Sequence, residues 1–241
     1  MSNVWISHRG LDEKYTENTR SAFEAAMDVG FQHLETDLRT TADGQLVLHH
    51  DPDLQRTAGQ PARIEDLSRN ELAQVRYEDG QVPLLFEEFA DRFCDARWIL
   101  DIKPETAAAT LYQLWRWARE TGNYDWLIKN ARFLMWDPSH EKLLRNYFPD
   151  AITMANASEC HRAGMSILAG LPILGRIQKE RTYSLPPRFL GRFLYKPEIL
   201  KQYHRKKARL LAYLPEKPAD IERALEAGAN EVLINGRPLK L

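Results

Sequence analysis

Short β-prone runs alternate with helical patterns along most of this 241-residue chain, and that alternation restricts the fold more than any other feature. The runs are VWISH (4–8), HLETDL (33–38), QLVLHH (45–50), RWILDIK (97–103), RFLMW (132–136), AITMANA (151–157), ARLLAYL (208–214) and EVLIN (231–235). Among the helical stretches are NTRSAFEAAMDVG, with Asn18 placed as an N-cap and Gly30 as a stop, PLLFEEFADRF, ETAAATLYQLWRWARETG, PSHEKLLRNYF and KPADIERALEAGA. Strand followed by helix, repeated, favours a mainly parallel sheet with helical crossovers. Eight such strands predict an α/β fold of the TIM type, a (β/α)8 barrel built as a single domain over residues 1–241.

The formal net charge of -1 hides a strong polarity. Between Arg176 and Arg209 there are 11 Lys or Arg and only Glu180 and Glu198 as acids, a local balance of +9 that leaves -10 for the rest. Residues 163–200 combine SILAGLPILG with basic and aromatic side chains and Pro186-Pro187, and are expected to form an ordered excursion between the sixth and seventh strands. Two roles are open to it: resting apolar side down on an anionic membrane, or packing its leucines against the barrel as a helical hairpin. SILAGLPILG falls far short of the roughly 20 residues a bilayer span needs, so no transmembrane helix is expected. The N-terminus shows no leader pattern, and Cys94 and Cys160 stand apart without metal-type spacing. A cytoplasmic setting is expected, with peripheral contact at the inner face of the membrane as the finer option. Nucleic acid is not an expected partner, because Leu, Pro and Gly dominate the basic run and no reading motif accompanies it.

Several strands end in charge: His8-Arg9 after the first, Glu35 and Asp37 in the second, Asp101 and Lys103 in the fourth. Barrel interiors favour bulky apolar side chains, so charges gathered at C-terminal strand ends point to an active-site face. If Asp43-Gly44 is a tight turn, position 37 falls opposite position 50, and His50 faces Asp37. Glu35 and Asp37, two apart on a strand, point the same way and can share a cation, with Asp101 as the third ligand. Carboxylates without cysteine suit one hard divalent ion, Mg²⁺ or Ca²⁺, with Mn²⁺ as a further candidate. Arg9 and Lys103 can hold an anionic substrate, while His8 and His50 supply two groups that titrate near neutrality. The sum reads as metal-assisted phosphodiester cleavage. His49 should face away from His50 and pack; Glu17 has no assigned role, and His33, His140, His161 and His204 lack a matching cluster.

The blocks SHRG, ENTRSAFEAAMDVG, LETDLRTTADGQLVLHHDPDLQRT, VPLLFEEF and LDIKP, with DIERALEAGANEVLINGRP near the end, resemble in order the signature blocks of the glycerophosphodiester phosphodiesterases. The resemblance implies a TIM-type barrel and the hydrolysis of glycerophosphodiesters to sn-glycerol 3-phosphate and an alcohol. It implies that His8 and His50 are the catalytic acid and base, that Glu35, Asp37 and Asp101 hold the metal, and that Arg9 and Lys103 hold the phosphate. It also implies attack on phosphorus by the glycerol's own middle hydroxyl, followed by opening of a cyclic phosphate by water. Asp101 stands where that family usually has Glu, Met135-Trp136 where it often has Ser-Phe, Tyr213-Leu214 where it often has Trp-Thr, and Asn235-Gly236 where it has Thr-Asp. These departures keep two alternatives in view: lysophospholipase D-type cleavage of lysophospholipids at a membrane surface, and noncatalytic binding of phosphoesters or membranes.

Overall fold

The computed structural model describes residues 4–11 and 13–239. Twelve strands occur among them: β1 Val4–His8, β2 His33–Thr40, β3 Leu46–Leu48, β4 Leu84–Leu85, β5 Arg97–Ile102, β6 Ala131–Met135, β7 Ile152–Thr153, β8 Thr182–Leu185, β9 Arg188–Phe189, β10 Arg192–Phe193, β11 Arg209–Tyr213 and β12 Glu231–Ile234. The main sheet runs β7-β6-β5-β2-β1-β12-β11-β8, and Met154, just past β7, bridges Thr182 of β8 in parallel. Eight parallel strands in this order, with helical crossovers, make the TIM-type (β/α)8 barrel that the alternation predicts.

Two compact units make up the chain. One is Ser7–Ile152 with Asn235–Arg237. Its strands β1, β2, β5 and β6 pair in parallel, while β3 and β4 lie off the main path, β3 antiparallel to β2. Aromatic packing anchors its helices: Phe86 of the helix Phe86–Arg92 meets Trp117 edge-on with ring centroids 4.8 Å apart, and Phe23 meets Phe89 at 4.9 Å. Such pairs are worth about 0.5–1.5 kcal/mol beyond their buried area.

The other unit centres on Thr153–Ile234. Here β8, β11 and β12 pair in parallel, and the helix Pro197–Arg205 lays Tyr203 on Tyr183 of β8 at 5.4 Å.

Two elements differ from the sequence reading in a compensating way. QLVLHH supplies only the three-residue β3, a hairpin partner of β2 outside the barrel, whereas TYSL (182–185) is a barrel strand. The segment 163–200 therefore holds a barrel strand, preceded by the helix Ala157–Leu168 and the tight turn Pro172–Gly175 and followed by the β9-β10 hairpin. TYSL carries no strand signal of its own, being four residues long and set between Arg181 and Pro186-Pro187 in a stretch dominated by charge. No helix among the described residues is long and apolar enough to cross a membrane.

Candidate active site

Strand register assembles the site. His8 of β1 pairs with Glu35 of β2, and Asp37 of β2 pairs with Asp101 of β5. Partners in adjacent parallel strands share a face, and Glu35 and Asp37 are two apart, so all four side chains converge. One carboxylate oxygen each from Glu35, Asp37 and Asp101 lies within 4.8 Å of the others, and all three residues are buried.

Cations close around these acids. Lys103 Nζ donates to Asp101 Oδ2 at 2.7 Å and sits 2.7 Å from Asp37 Oδ1, while Arg9 Nε lies 2.9 Å from Asp37 Oδ2. Burial opposes the charged form of Asp37, but Lys103 and Arg9 outweigh it and hold the carboxyl well below the usual carboxylate range. Glu35 has the opposite balance: burial, then the neighbouring Asp37, pushes its carboxyl well above that range. Burial also raises Asp101 against the pull of Lys103.

Arg9 reaches Asp37 because the chain turns sharply after β1. Arg9 is left-handed at φ 60, and Gly10 follows at φ 90. A Cβ on Gly10 would stand 2.6 Å from the Ala22 backbone and Cβ, so only glycine lets this turn approach the helix Arg20–Asp28. That helix is capped by Thr19, whose Oγ1 accepts from the Ala22 amide, and not by Asn18 as the sequence suggests. Asn18, left-handed at φ 58 and buried, instead donates through Nδ2 to Asp37 Oδ2 at 2.7 Å. Thr36 Oγ1 donates to Asn18 Oδ1 at 2.8 Å and so fixes the amide's orientation.

The two histidines are placed differently. His8 is buried, with Nε2 3.9 Å from Glu35 Oε2 and Nδ1 2.5 Å from Asn235 Oδ1. Burial, helped by Arg9, brings its pKa down to about 4. His50 is half-buried; its Nδ1 lies 2.7 Å from Asp51 Oδ1, and its carbonyl accepts from Arg39 at 2.7 Å. It lies outside the immediate carboxylate contacts, although its charge still bears on Asp37.

The turn before His50 is one residue longer than the two-residue Asp43-Gly44 turn that the sequence suggests. Thr41 and Gln45 close a three-residue loop with Gly44 left-handed at φ 81, so β2 and β3 pair Leu38 with Leu48 and the Asp37 carbonyl accepts from His49, not His50. His49 packs as expected: its ring is buried between the Tyr77 hydroxyl at 3.1 Å and the Asp53 carbonyl at 3.0 Å.

Sequence reasoning left several neighbours without a role. Glu17 takes Arg9 Nη1 at 3.1 Å and Arg56 Nη2 at 2.5 Å, and Arg56 Nε donates to Asp51 Oδ2 at 2.6 Å. Trp136 donates its indole N–H to Asp101 Oδ1 at 2.6 Å. The signal for Glu17 and Asn18 was their place in the ENT block; Asn235 and Trp136 were visible only as departures from the expected pattern.

Comparison with known proteins agrees with this geometry. A profile of the glycerophosphoryl diester phosphodiesterase family matches residues 8–236. A glycerophosphodiester phosphodiesterase of Caldanaerobacter subterraneus subsp. tengcongensis is 22% identical over 252 residues, covering 97% of this chain and 94% of its own. A human lysophospholipase D is 36% identical over 112 residues, covering 41% of this chain and 35% of its own. Among solved structures, the glycerophosphoryl diester phosphodiesterase domain of a Mycobacterium tuberculosis protein superposes with a TM-score of 0.82 at 12% identity, covering 98% and 97% of the two chains. An Oleispira antarctica phosphodiesterase in complex with the product sn-glycerol-3-phosphate gives 0.75 at 16% identity, covering 97% and 93%. With the profile spanning almost the full length, the chain belongs to the glycerophosphoryl diester phosphodiesterase family and is an enzyme of that class.

Proposed function

We propose that this enzyme hydrolyses glycerophosphodiesters to sn-glycerol 3-phosphate and an alcohol, with His8 and His50 as its acid–base pair and Arg9 and Lys103 holding the phosphoryl group. One divalent cation, held by Glu35, Asp37 and Asp101, completes the site. The observation that carries this reading is the convergence of three buried carboxylates, two cations and the His8 imidazole at neighbouring strand ends.

The donor set fits the ion. Glu35 Oε2 is buried without a hydrogen-bond partner, a costly state for an anionic oxygen unless a cation compensates it. Three carboxylates and no sulfur suit Mg²⁺, Ca²⁺ or Mn²⁺. Such an ion supplies Lewis-acid stabilisation of the charge that develops on the phosphoryl oxygens.

The chain's own groups do the rest. Asn235 Oδ1 accepts from His8 Nδ1, so the proton sits on that nitrogen and Nε2 is left as the base. His8 takes the proton of the glycerol's middle hydroxyl as its oxygen attacks phosphorus. His50, oriented by Asp51, gives a proton to the departing alcohol as its P–O bond breaks. The roles then reverse when water opens the cyclic phosphate. Lys103 spends two donors on Asp37 and Asp101, leaving its third for a phosphoryl oxygen.

A second reading, cleavage of lysophospholipids to lysophosphatidic acid and a headgroup alcohol, is favoured by the apolar side chains exposed at Met165, Leu171, Ile173, Leu174 and Leu190. The partial likeness to a human lysophospholipase D supports it too. Either reading suits the cytoplasm, since Cys94 and Cys160 are unpaired thiols.

The test is a panel of glycerophosphocholine, glycerophosphoethanolamine and lysophosphatidylcholine, run after chelation and again with each ion, with glycerol 3-phosphate and lysophosphatidic acid quantified. His8→Ala and His50→Ala should each lose about 10²–10⁴-fold in turnover. Full metal-dependent turnover in either variant removes that histidine from its role. Wild-type protein that binds these esters but turns over none of them is a noncatalytic binder.

A further inference from the structure

Among the described residues, five exposed large apolar side chains crowd into one stretch of the Thr153–Ile234 unit: Met165, Leu171, Ile173, Leu174 and Leu190. Ile173 is 75% exposed and Leu190 73%, levels that a residue merely finishing a local core does not reach.

The backbone holds these side chains outward. The turn Pro172–Gly175 is fastened to the helix Ala157–Leu168: the Leu171 amide donates to the Ser166 carbonyl at 2.8 Å, and Arg162 Nε donates to the Gly175 carbonyl at 3.3 Å. Gly175 is pressed so close that a Cβ there would stand 2.5 Å from Ser166 Oγ and 3.1 Å from the Ala163 Cα. With glycine facing inward, Ile173 and Leu174 face out. The β9-β10 hairpin does the same by another route. Phe189 pairs with Arg192, and the two-residue turn between them, Leu190-Gly191, is left-handed at both positions, φ 48 and 73. Asn or Gly usually fills the first of these positions; a leucine there is strained and presented at the tip. Phe189 stacks on His161 with ring centroids 5.5 Å apart, which joins the hairpin to the helix one turn from Met165.

Charge identifies the occupant. Between 157 and 196 the only acids are Glu159, buried against Arg181, and Glu180, paired with Lys179. The exposed Arg162, Arg176, Arg188 and Arg192 therefore set the sign of this surface. Protruding apolar tips rimmed by arginine match the interface of a bilayer, where apolar side chains enter the acyl boundary and cations meet anionic headgroups.

We propose that the turn 171–174 and the hairpin tip at Leu190, rimmed by Arg162, Arg176, Arg188 and Arg192, form a docking surface for an anionic lipid bilayer. This surface goes beyond the hydrolytic reading and does not depend on which diester is cleaved.

The test is sedimentation of the full chain with vesicles of phosphatidylcholine alone and of phosphatidylcholine with phosphatidylglycerol in roughly equal parts. Binding is expected only with the anionic vesicles and should weaken as salt rises. The variant Ile173→Ser with Leu174→Ser and Leu190→Ser, and the variant Arg162→Gln with Arg188→Gln and Arg192→Gln, should each partition at least roughly tenfold less. Both should keep the wild-type far-UV circular dichroism and urea midpoint, which controls for folding. Because binding is read without turnover, an inactive wild type leaves this measurement intact. Equal partitioning by wild type and variants, or no binding to anionic vesicles, overturns the proposal. A wild-type dimer that the serine variant abolishes, without lipid binding, overturns it in favour of a second copy of the chain.

Discussion

Arg56 and Asp51 form a 2.6 Å ion pair that joins two parts of the candidate site. Asp51 meets His50 Nδ1 with its other oxygen, and Arg56 also meets Glu17, which in turn binds Arg9. One guanidinium therefore links the carboxylate beside His50, the proposed acid, to the carboxylate that holds Arg9, a proposed phosphate ligand. Arg56→Ala should lower kcat by about 10–100-fold, the usual scale for losing a group that orients an active-site ligand. Arg56→Lys should recover part of it, since a lysine can meet one carboxylate but lacks the planar fork for both. Rescue distinguishes positioning from mere packing: Arg56→Met, which keeps the bulk without the charge, should stay as impaired as the alanine variant, and recovery by methionine would mean that Arg56 only fills space.

Asp37 holds Lys103, Arg9 and Asn18 while fully buried. Asp37→Asn keeps the shape and removes the charge, leaving two cations without their shared partner. Breaking a buried pair in this way costs about 3–5 kcal/mol. Urea unfolding of metal-free protein should show that loss, together with abolished turnover; unchanged stability would mean that Lys103 and Arg9 are satisfied elsewhere.

Two histidines pull stability down on acidification, against Glu35 and Asp101, whose raised carboxyls take up protons in the folded chain first. Unfolded, each histidine titrates near 6.5; folded, burial lowers both, His8 to about 4 and His49 in the same direction. Above 6.5 neither state holds the proton and the full contribution is present. As pH falls below that value the unfolded chain gains protons that the folded chain refuses, at up to about 1.4 kcal/mol per pH unit for each group. For His8 the loss continues to about pH 4. Denaturation of metal-free His49→Gln beside wild type checks this: the variant should lose less stability than wild type as pH falls below 6.5.

Trp136 is half-exposed, yet its indole N–H is committed to Asp101, and Lys103 Nζ lies 5.4 Å from its ring centroid. Asp101 is shorter than the glutamate its position leads one to expect, and the tryptophan donor holds it in place. Trp136→Phe keeps the ring and removes the donor, so the metal concentration for half-maximal activity should rise severalfold. Calorimetric titration of the ion reports the same shift without turnover. An unchanged affinity would mean that the indole donor does not prepare Asp101 for the ion.

Much of this site was legible because its charged residues lie in strands whose period-two geometry is readable from text. Glu35, Asp37 and Asp101 converge as that geometry requires. What failed depended on backbone detail. Whether the turn after Thr41 holds two or three residues is invisible in the letters TADG, and the difference moved the residue opposite Asp37 from His50 to His49. Asn18 looks like a helix cap from either side of the sequence; only its left-handed backbone turns it toward Asp37 and hands the cap to Thr19. TYSL became a barrel strand through pairing with β11 and Met154, contacts its own four residues do not announce.

His8 and Asn235 are separated by 227 positions. During synthesis every charged group of the site leaves the ribosome long before the amide that locks the imidazole's tautomer. The contact that orients His8 therefore joins the first strand to the residue just past the last one, and only a chain complete through β12 can make it.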